Sequence, residues 1–330
     1  MTPANLSLAL EVMVRLRRPA FIWGPPGVGK SDLVADIAKR MGIKLLDFRM
    51  ALRDPTDIKG FPMPDQATST MKFFRDGELP TKGKGILFMD ELVSATPATQ
   101  AAGMQLCLPP FRIGDYQLPE GWSIIAAGNR ETDRAVVHRM PTALANRFTH
   151  FDYEVNAGDW VQWALNNGVS AELIAWIRFK ENMLFSFDPK TNDRAFATPR
   201  SWAATEDIVK SALPDTVKYE TIKGTVGEGP GSEYWGFRKL IKDLPTMDEI
   251  RKDPKKTKVP EEPATLYALT TTMAMNTKQI SHFDTFMDYV TRFQKEFQAV
   301  YVRDCLRKDK TIATSSTFTK WALANKEVIL

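Results

Sequence analysis

Residues 20–31 read Ala20-Phe-Ile-Trp-Gly-Pro-Pro-Gly-Val-Gly-Lys-Ser31. The apolar run Ala20–Trp23 predicts a short buried strand. The pattern from Ser31 to Met41, ended by Gly42, predicts a helix. Between them, Gly24, Gly27 and Gly29 let the backbone curl, so that successive N–H groups point at phosphate oxygens. Lys30 places a cation on terminal phosphates, and Ser31 offers a hydroxyl to magnesium. The helix aims its positive end at the same anion. The expected phosphate-binding residues are therefore Gly24, Pro25, Pro26, Gly27, Val28, Gly29, Lys30, Ser31 and Asp32. A chance glycine-rich turn would lack the strand before and the helix after.

The totals set the frame. The chain has 330 residues, 43% hydrophobic and 25% charged, the range of ordinary globular proteins with room for two domains. No apolar run reaches the roughly 20 residues of a membrane span. The first residues, Met1-Thr-Pro-Ala-Asn-Leu-Ser, show no leader pattern, so a cytoplasmic protein is expected. Cys107 and Cys305 read as small buried hydrophobes, and the three histidines show no ligand spacing with them. A net charge of +4 is too weak to argue for nucleic acid by itself.

Outward from the loop, residues 5–17 predict a leading helix and Ile43–Phe48 a second strand. From Asp54 to residue 85 periodicity is lost, which fits either a functional or mobile loop or a plain solvated surface loop. Gly85-Ile-Leu-Phe-Met-Asp90-Glu91 is the next fixed point: a central strand with two carboxylates at its C-terminal tip, where parallel sheets bind ligands. Asp90 is placed to hold magnesium and Glu91 to polarise an attacking water. Thr96–Cys107 predicts a helix ended by Pro109-Pro110, and Phe111–Leu118 a hairpin turning at Gly114-Asp115. Trp122–Ala127 is another strand, tipped by Asn129, whose amide can orient water or meet the terminal phosphate; the alternative is a turn-forming Asn. Pro141–Asn146 begins a helix, Arg147 follows, and Phe148–Tyr153 is the last strand.

This order of signals resembles the AAA+ ATPases. The Asp90-Glu91-Leu…Gln100 helix, the hairpin before Asn129 and the Ala145-Asn-Arg-Phe148 ending look most like the MoxR branch. Asp159-Trp-Val-Gln-Trp163 and Phe196-Ala-Thr-Pro-Arg-Ser-Trp202 extend the likeness, which covers residues 1–213 well and the rest loosely. The resemblance implies an α/β P-loop core with a five-stranded parallel sheet over residues 1–155. A helical lid with a C-terminal extension would fill 156–330. It also implies ATP or ADP with Mg2+, a hexameric ring, and a protein client, in this family often one with a von Willebrand A domain. Gly24–Ser31 resembles Walker A, Asp90-Glu91 Walker B, and Asn129 sensor 1. Arg147 resembles the arginine finger reaching a neighbour's γ-phosphate, with Arg130, Arg134 and Arg139 close by, and Arg200 resembles sensor 2. Residues 60–83 and 111–118 correspond to the family's pore-facing insert and hairpin.

Beyond residue 155, Gly158–Asn167, Ala171–Asn182, Ala264–Met275, Phe283–Phe297 and Phe318–Asn325 predict helices, with Trp160, Trp163 and Trp176 as core anchors. Phe297–Val302 has an extended alternative. Residues 214–262, glycine-rich and then charged, read as a linker; Arg251–Lys258 could instead touch phosphates or a partner. Three rival readings stand beside a chaperone-like ATPase. A nucleic-acid motor needs basic pore loops, where only Lys59, Lys72, Arg75 and Arg112 stand, mixed with acids. An assembly scaffold would not need Glu91. A small-molecule kinase would not need Asn129, Arg147 and Arg200 together.

Overall fold

The computed structural model describes residues 1–74, 77–133, 137–191 and 193–329. The chain forms two compact units, Met1–Asn156 with Pro189–Asn192, and Ala157–Asp188 with Asp193–Leu330.

The first unit is α/β. It runs α1 (Pro3–Arg15), β1 (Ala20–Trp23), α2 (Lys30–Met41), β2 (Lys44–Arg49), α3 (Pro55–Lys59), β3 (Phe61–Asp65), β4 (Thr70–Phe74) and β5 (Lys84–Asp90). Then come α4 (Pro97–Met104), β6 (Arg112–Ile113), β7 (Tyr116–Gln117), β8 (Gly121–Gly128), α5 (Thr142–Ala145) and β9 (Thr149–Asp152). Five strands make one parallel sheet in the order β2-β5-β8-β1-β9. Its three central strands are near-continuous apolar runs: Phe21 and Ile22, Ile86–Met89 and Ile124–Ala127 are all buried, as a parallel sheet covered on both faces requires. The edges β2 and β9 carry most of the exposed positions. The register sets Trp23 beside Gly128 and Met89 beside Ala126, so β1, β5 and β8 end along one rim. This is the P-loop α/β architecture expected from residues 20–31 and 85–91.

The stretch after Asp54, read as loop, holds two ordered pieces. Asp54 and Asp57 cap α3 reciprocally, a local motif that needs no long-range pattern. β3 and β4 then form a separate antiparallel hairpin. Both of its faces are solvent-exposed, so its sequence carries no alternation of apolar and polar residues. Phe61, Met63, Met71, Phe73 and Phe74 are all exposed. The hairpin expected within Phe111–Leu118 is present as β6 and β7.

The second unit is helical: α6 (Ala157–Asn166), α7 (Ala171–Phe179), α8 (Pro199–Lys210), α9 (Asp215–Val226), α10 (Glu228–Leu240), α11 (Met247–Lys252), α12 (Pro263–Asn276), α13 (Ile280–Val290), α14 (Lys295–Lys308), α15 (Ser316–Ala324) and α16 (Lys326–Ile329). Residues 214–262 are therefore no loose linker, since α9, α10 and α11 lie within them. The glycines there serve packing. A Cβ on Gly231 of α10 would lie 2.9 Å from the Lys223 Cα of α9, so glycine is what lets the two backbones approach. The run to Lys258 is tied down too: Tyr289 Oη donates to the Lys258 carbonyl, and Arg292 Nη1 donates to those of Pro254 and Thr257. Phe297–Val302 is helical rather than extended, because Phe297 and Tyr301, one turn apart, both face the core built with Phe283, Phe286 and Met287. The helix expected through Phe297 breaks after Val290. Trp160 and Trp176 are buried as expected, whereas Trp163 is 40% exposed. Both cysteines are free and buried.

Candidate nucleotide site

The phosphate loop lies between β1 and α2, at the rim where the central strands end. Gly27 (φ 75°) and Gly29 (φ 97°) take left-handed backbone conformations that favour glycine, and Gly29 is the N-cap of α2. Lys30 is 9% exposed. Its Nζ donates to the carbonyls of Gly24 and Pro25 at 2.7 and 2.9 Å and to Asn129 Oδ1 at 3.1 Å. An ammonium has three donors, and three acceptors orient it within the loop. The sheet holds this arrangement in place: Gly24 N–H donates to the Gly128 carbonyl, one residue before Asn129.

Ser31 Oγ donates to Asp90 Oδ2 at 2.8 Å, joining the start of α2 to the tip of β5. A hydroxyl and a carboxylate oxygen side by side are the hard donors magnesium takes, and this ion ordinarily completes its shell with substrate phosphates and water. The residues fit the ion, and among the described residues no cluster of three His, Cys, Asp or Glu offers a rival cage. Asp90 Oδ1 accepts from the Glu91 N–H at 2.9 Å. Glu91 is exposed and takes φ 55°, an uncommon conformation for a residue with a side chain, directly after the last residue of β5. Lys30 and Ser31, Asp90, and Asn129, predicted from three separate stretches, are thus joined in two pairs by hydrogen bonds, Lys30 to Asn129 and Ser31 to Asp90, with Glu91 adjoining Asp90.

The arginines differ from one another. Arg147 ends the α5 turn, half-buried, with its Nη1 enclosed and making no hydrogen bond. Burial pushes the Cys107 thiol up to about 12, and the Arg147 guanidinium pulls the other way. Arg130 is engaged by Asp152 at 3.2 Å and by the Tyr153 carbonyl. Arg139 is exposed, and Arg75 and Arg134 lie outside the described residues. Arg200 is exposed in the first turn of α8, in the second unit. One contributor went unread in the sequence. The Tyr153 side chain lies against the phosphate loop, its Cβ 3.0 Å from where a Cβ on Gly24 would stand and its hydroxyl 3.7 Å from one on Gly29. Nothing but an aromatic residue after the last strand marks it.

Residues 20–154 match the model of the family described as "ATPase family associated with various cellular activities (AAA)". This stretch, less than half of the chain, is an AAA-family ATPase domain. A mouse protein named ATPase family gene 2 protein homolog B is 32% identical over 96 residues, 29% of this chain and 12% of that protein. Midasin of Giardia intestinalis is 27% identical over 163 residues, 47% of this chain and 3% of that protein. The chain thus spans only a small part of the length of these curated relatives. Among solved structures, the Thermotoga maritima RuvB Holliday junction branch migration motor aligns at 18% identity and TM-score 0.39, over 88% of this chain and 85% of its own. NtrX from Brucella abortus in complex with ADP aligns at 15% identity and TM-score 0.40, over 94% and 68%.

Proposed function

We propose that this chain is a MoxR-like AAA+ ATPase that works as a hexameric ring, binds ATP between neighbours and remodels a protein partner. The observation that carries the hydrolytic part is the bonded set Lys30–Asn129 and Ser31–Asp90, with Glu91 at the same strand tip. Ser31 and Asp90 would hold magnesium, whose charge neutralises phosphate oxygens. Lys30 exchanges its loop carbonyls for terminal phosphate oxygens. Glu91 accepts a proton from the attacking water, which Asn129 helps to orient. Arg147 reaches the γ-phosphate of the adjacent subunit and stabilises charge in the transition state, and Arg200 reports that phosphate to the helical unit. The β3–β4 and β6–β7 hairpins face the pore and act on the client, a protein such as one with a von Willebrand A domain. The ring, the client and the arginine roles rest on the family resemblance.

The test follows ATP hydrolysis against protein concentration, with mass measured in parallel, for wild type, Glu91→Gln and Arg147→Ala. Specific activity should rise as a six-subunit species forms. Glu91→Gln should lose about 10²–10⁴-fold in rate while still binding nucleotide. A monomer that hydrolyses at full rate, with Arg147→Ala unaffected, would sink the shared-site ring.

A further inference from the structure

We infer that His150 and Trp23 are positioning residues that fasten the turn carrying Arg147 to the strand leading into the phosphate loop. The inference rests on Arg147 acting as proposed above. Trp23 Nε1 donates to His150 Nδ1 at 2.9 Å, and His150 Nε2 stands 2.8 Å from the Ala145 carbonyl. An indole nitrogen can only donate, so Nδ1 carries no proton. Nε2 therefore holds the ring proton and donates it to Ala145. The neutral imidazole is committed at both nitrogens, one toward β1 and one toward α5.

The two ends of this bridge matter. Trp23 immediately precedes Gly24, whose carbonyl accepts from Lys30. Ala145 lies two residues before Arg147 in a turn closed by Arg147 N–H to Leu144 and Phe148 N–H to Ala145. The Ala145 carbonyl thus takes two donors, and the exit of α5 is fixed in angle. His150 sits opposite Phe21 in the β1–β9 register, with Trp23 on the diagonal. The Trp23 and His150 rings stack at 6.0 Å and 22°, and Phe148 closes on Phe21 edge-on at 5.6 Å. Side chains from β1 and β9 and Phe148, just after α5, therefore pack as one cluster. A half-buried guanidinium that must meet a neighbour's phosphate depends on that fixed turn, since a displacement of about 1 Å in a catalytic group can cost 10²-fold.

The experiment measures steady-state hydrolysis at pH 8 together with fluorescent ATP binding, for His150→Ala, His150→Gln, Trp23→Phe and Arg147→Ala. Each is assayed alone and mixed with Lys30→Ala subunits, which keep the turn but lose the phosphate cation. His150→Ala should lose about tenfold or more in kcat with its ATP Kd within about twofold of wild type. His150→Gln, which keeps a donor and an acceptor, should recover part of the loss. Trp23→Phe, lacking the indole N–H and part of the ring stacked on His150, should fall between. Mixing His150→Ala with Lys30→Ala should exceed the sum of the separate activities, because the intact turn of one subunit serves the intact site of the next. A simple packing defect would not be complemented in this way. If Arg147→Ala is complemented by Lys30→Ala while His150→Ala hydrolyses at the wild-type rate, or is impaired without complementation, the positioning role is overturned. If Arg147→Ala is itself unimpaired, the ring reading falls and takes this inference with it.

Discussion

Gly128→Ala tests the packing that holds the site together. Gly128 is the last residue of β8, directly before Asn129. A Cβ there would stand 2.4 Å from Val93 Cγ2 and 3.0 Å from Phe21 Cζ, whereas ordinary contact begins at 3.4 Å. Val93 and Phe21 are both buried, and Phe21 lies in the central strand β1, so neither can swing into solvent. Something must move by about 1 Å in an interior packed like an organic crystal. Overpacking of this kind costs about 1–3 kcal/mol. With roughly 2–4 °C per kcal/mol for a domain of 150–250 residues, the first unit should melt about 2–12 °C lower. If the end of β8 yields, the 3.1 Å bond from Lys30 to Asn129 lengthens beyond hydrogen-bonding range and hydrolysis falls with it. Differential scanning fluorimetry and a coupled ATPase assay would read both effects. Gly224→Ala is the control: it lies inside α9, its Cβ would meet nothing within 4 Å, and it should stabilise slightly. An unchanged melting temperature and rate for Gly128→Ala would refute the close packing of Val93 and Phe21 around this strand end.

Two further outcomes are expected. Burial holds the thiols of Cys107 and Cys305 up at about 12, so neither should react with a thiol reagent at pH 8 until denaturant is added. Because the folded thiols keep protons that unfolded ones release near pH 9.0, their contribution to stability is complete below that value and fades as pH rises toward 12. Asp304→Ala would leave Arg178 without its carboxylate partner at 2.7 Å, in a pair whose side chains are 1% and 10% exposed. Urea denaturation should show a loss of about 3–5 kcal/mol, and a paired Arg178→Met, Asp304→Leu variant should recover most of it.

Those contrasts bear on what the chain discloses before it is folded. The phosphate loop and the β5 tip were legible because each chemical role needs a residue type at a fixed distance from a buried apolar strand. Asn129 was legible for the same reason. What the sequence did not disclose were relations across strands. Tyr153 meets the loop only because β9 pairs with β1, and His150 meets Trp23 on a diagonal set by that register. Residues 214–262 misled because glycine has two uses. Gly227, at φ 95°, breaks the chain between α9 and α10, whereas Gly231 permits close helix packing, and composition cannot separate them. The β3–β4 hairpin was illegible because periodicity reports a buried face, and this hairpin has none.

That hairpin carries its own protection. Proline has no N–H to donate, so its ladder bonds can be exchanged only at Phe61–Phe74, Met63–Lys72 and Asp65–Thr70, which turns residues 62 and 64 outward. Pro62 and Pro64 thereby strip the outer edge of β3 of its donors. A strand from another molecule arriving there would find carbonyls and no N–H groups to answer its own. Exposed aromatic residues in an extended segment would ordinarily invite edge-to-edge stacking, and on this side the chain refuses it. Only the β4 edge, with the backbone groups of Met71 and Phe73 facing out, stays open to an incoming strand.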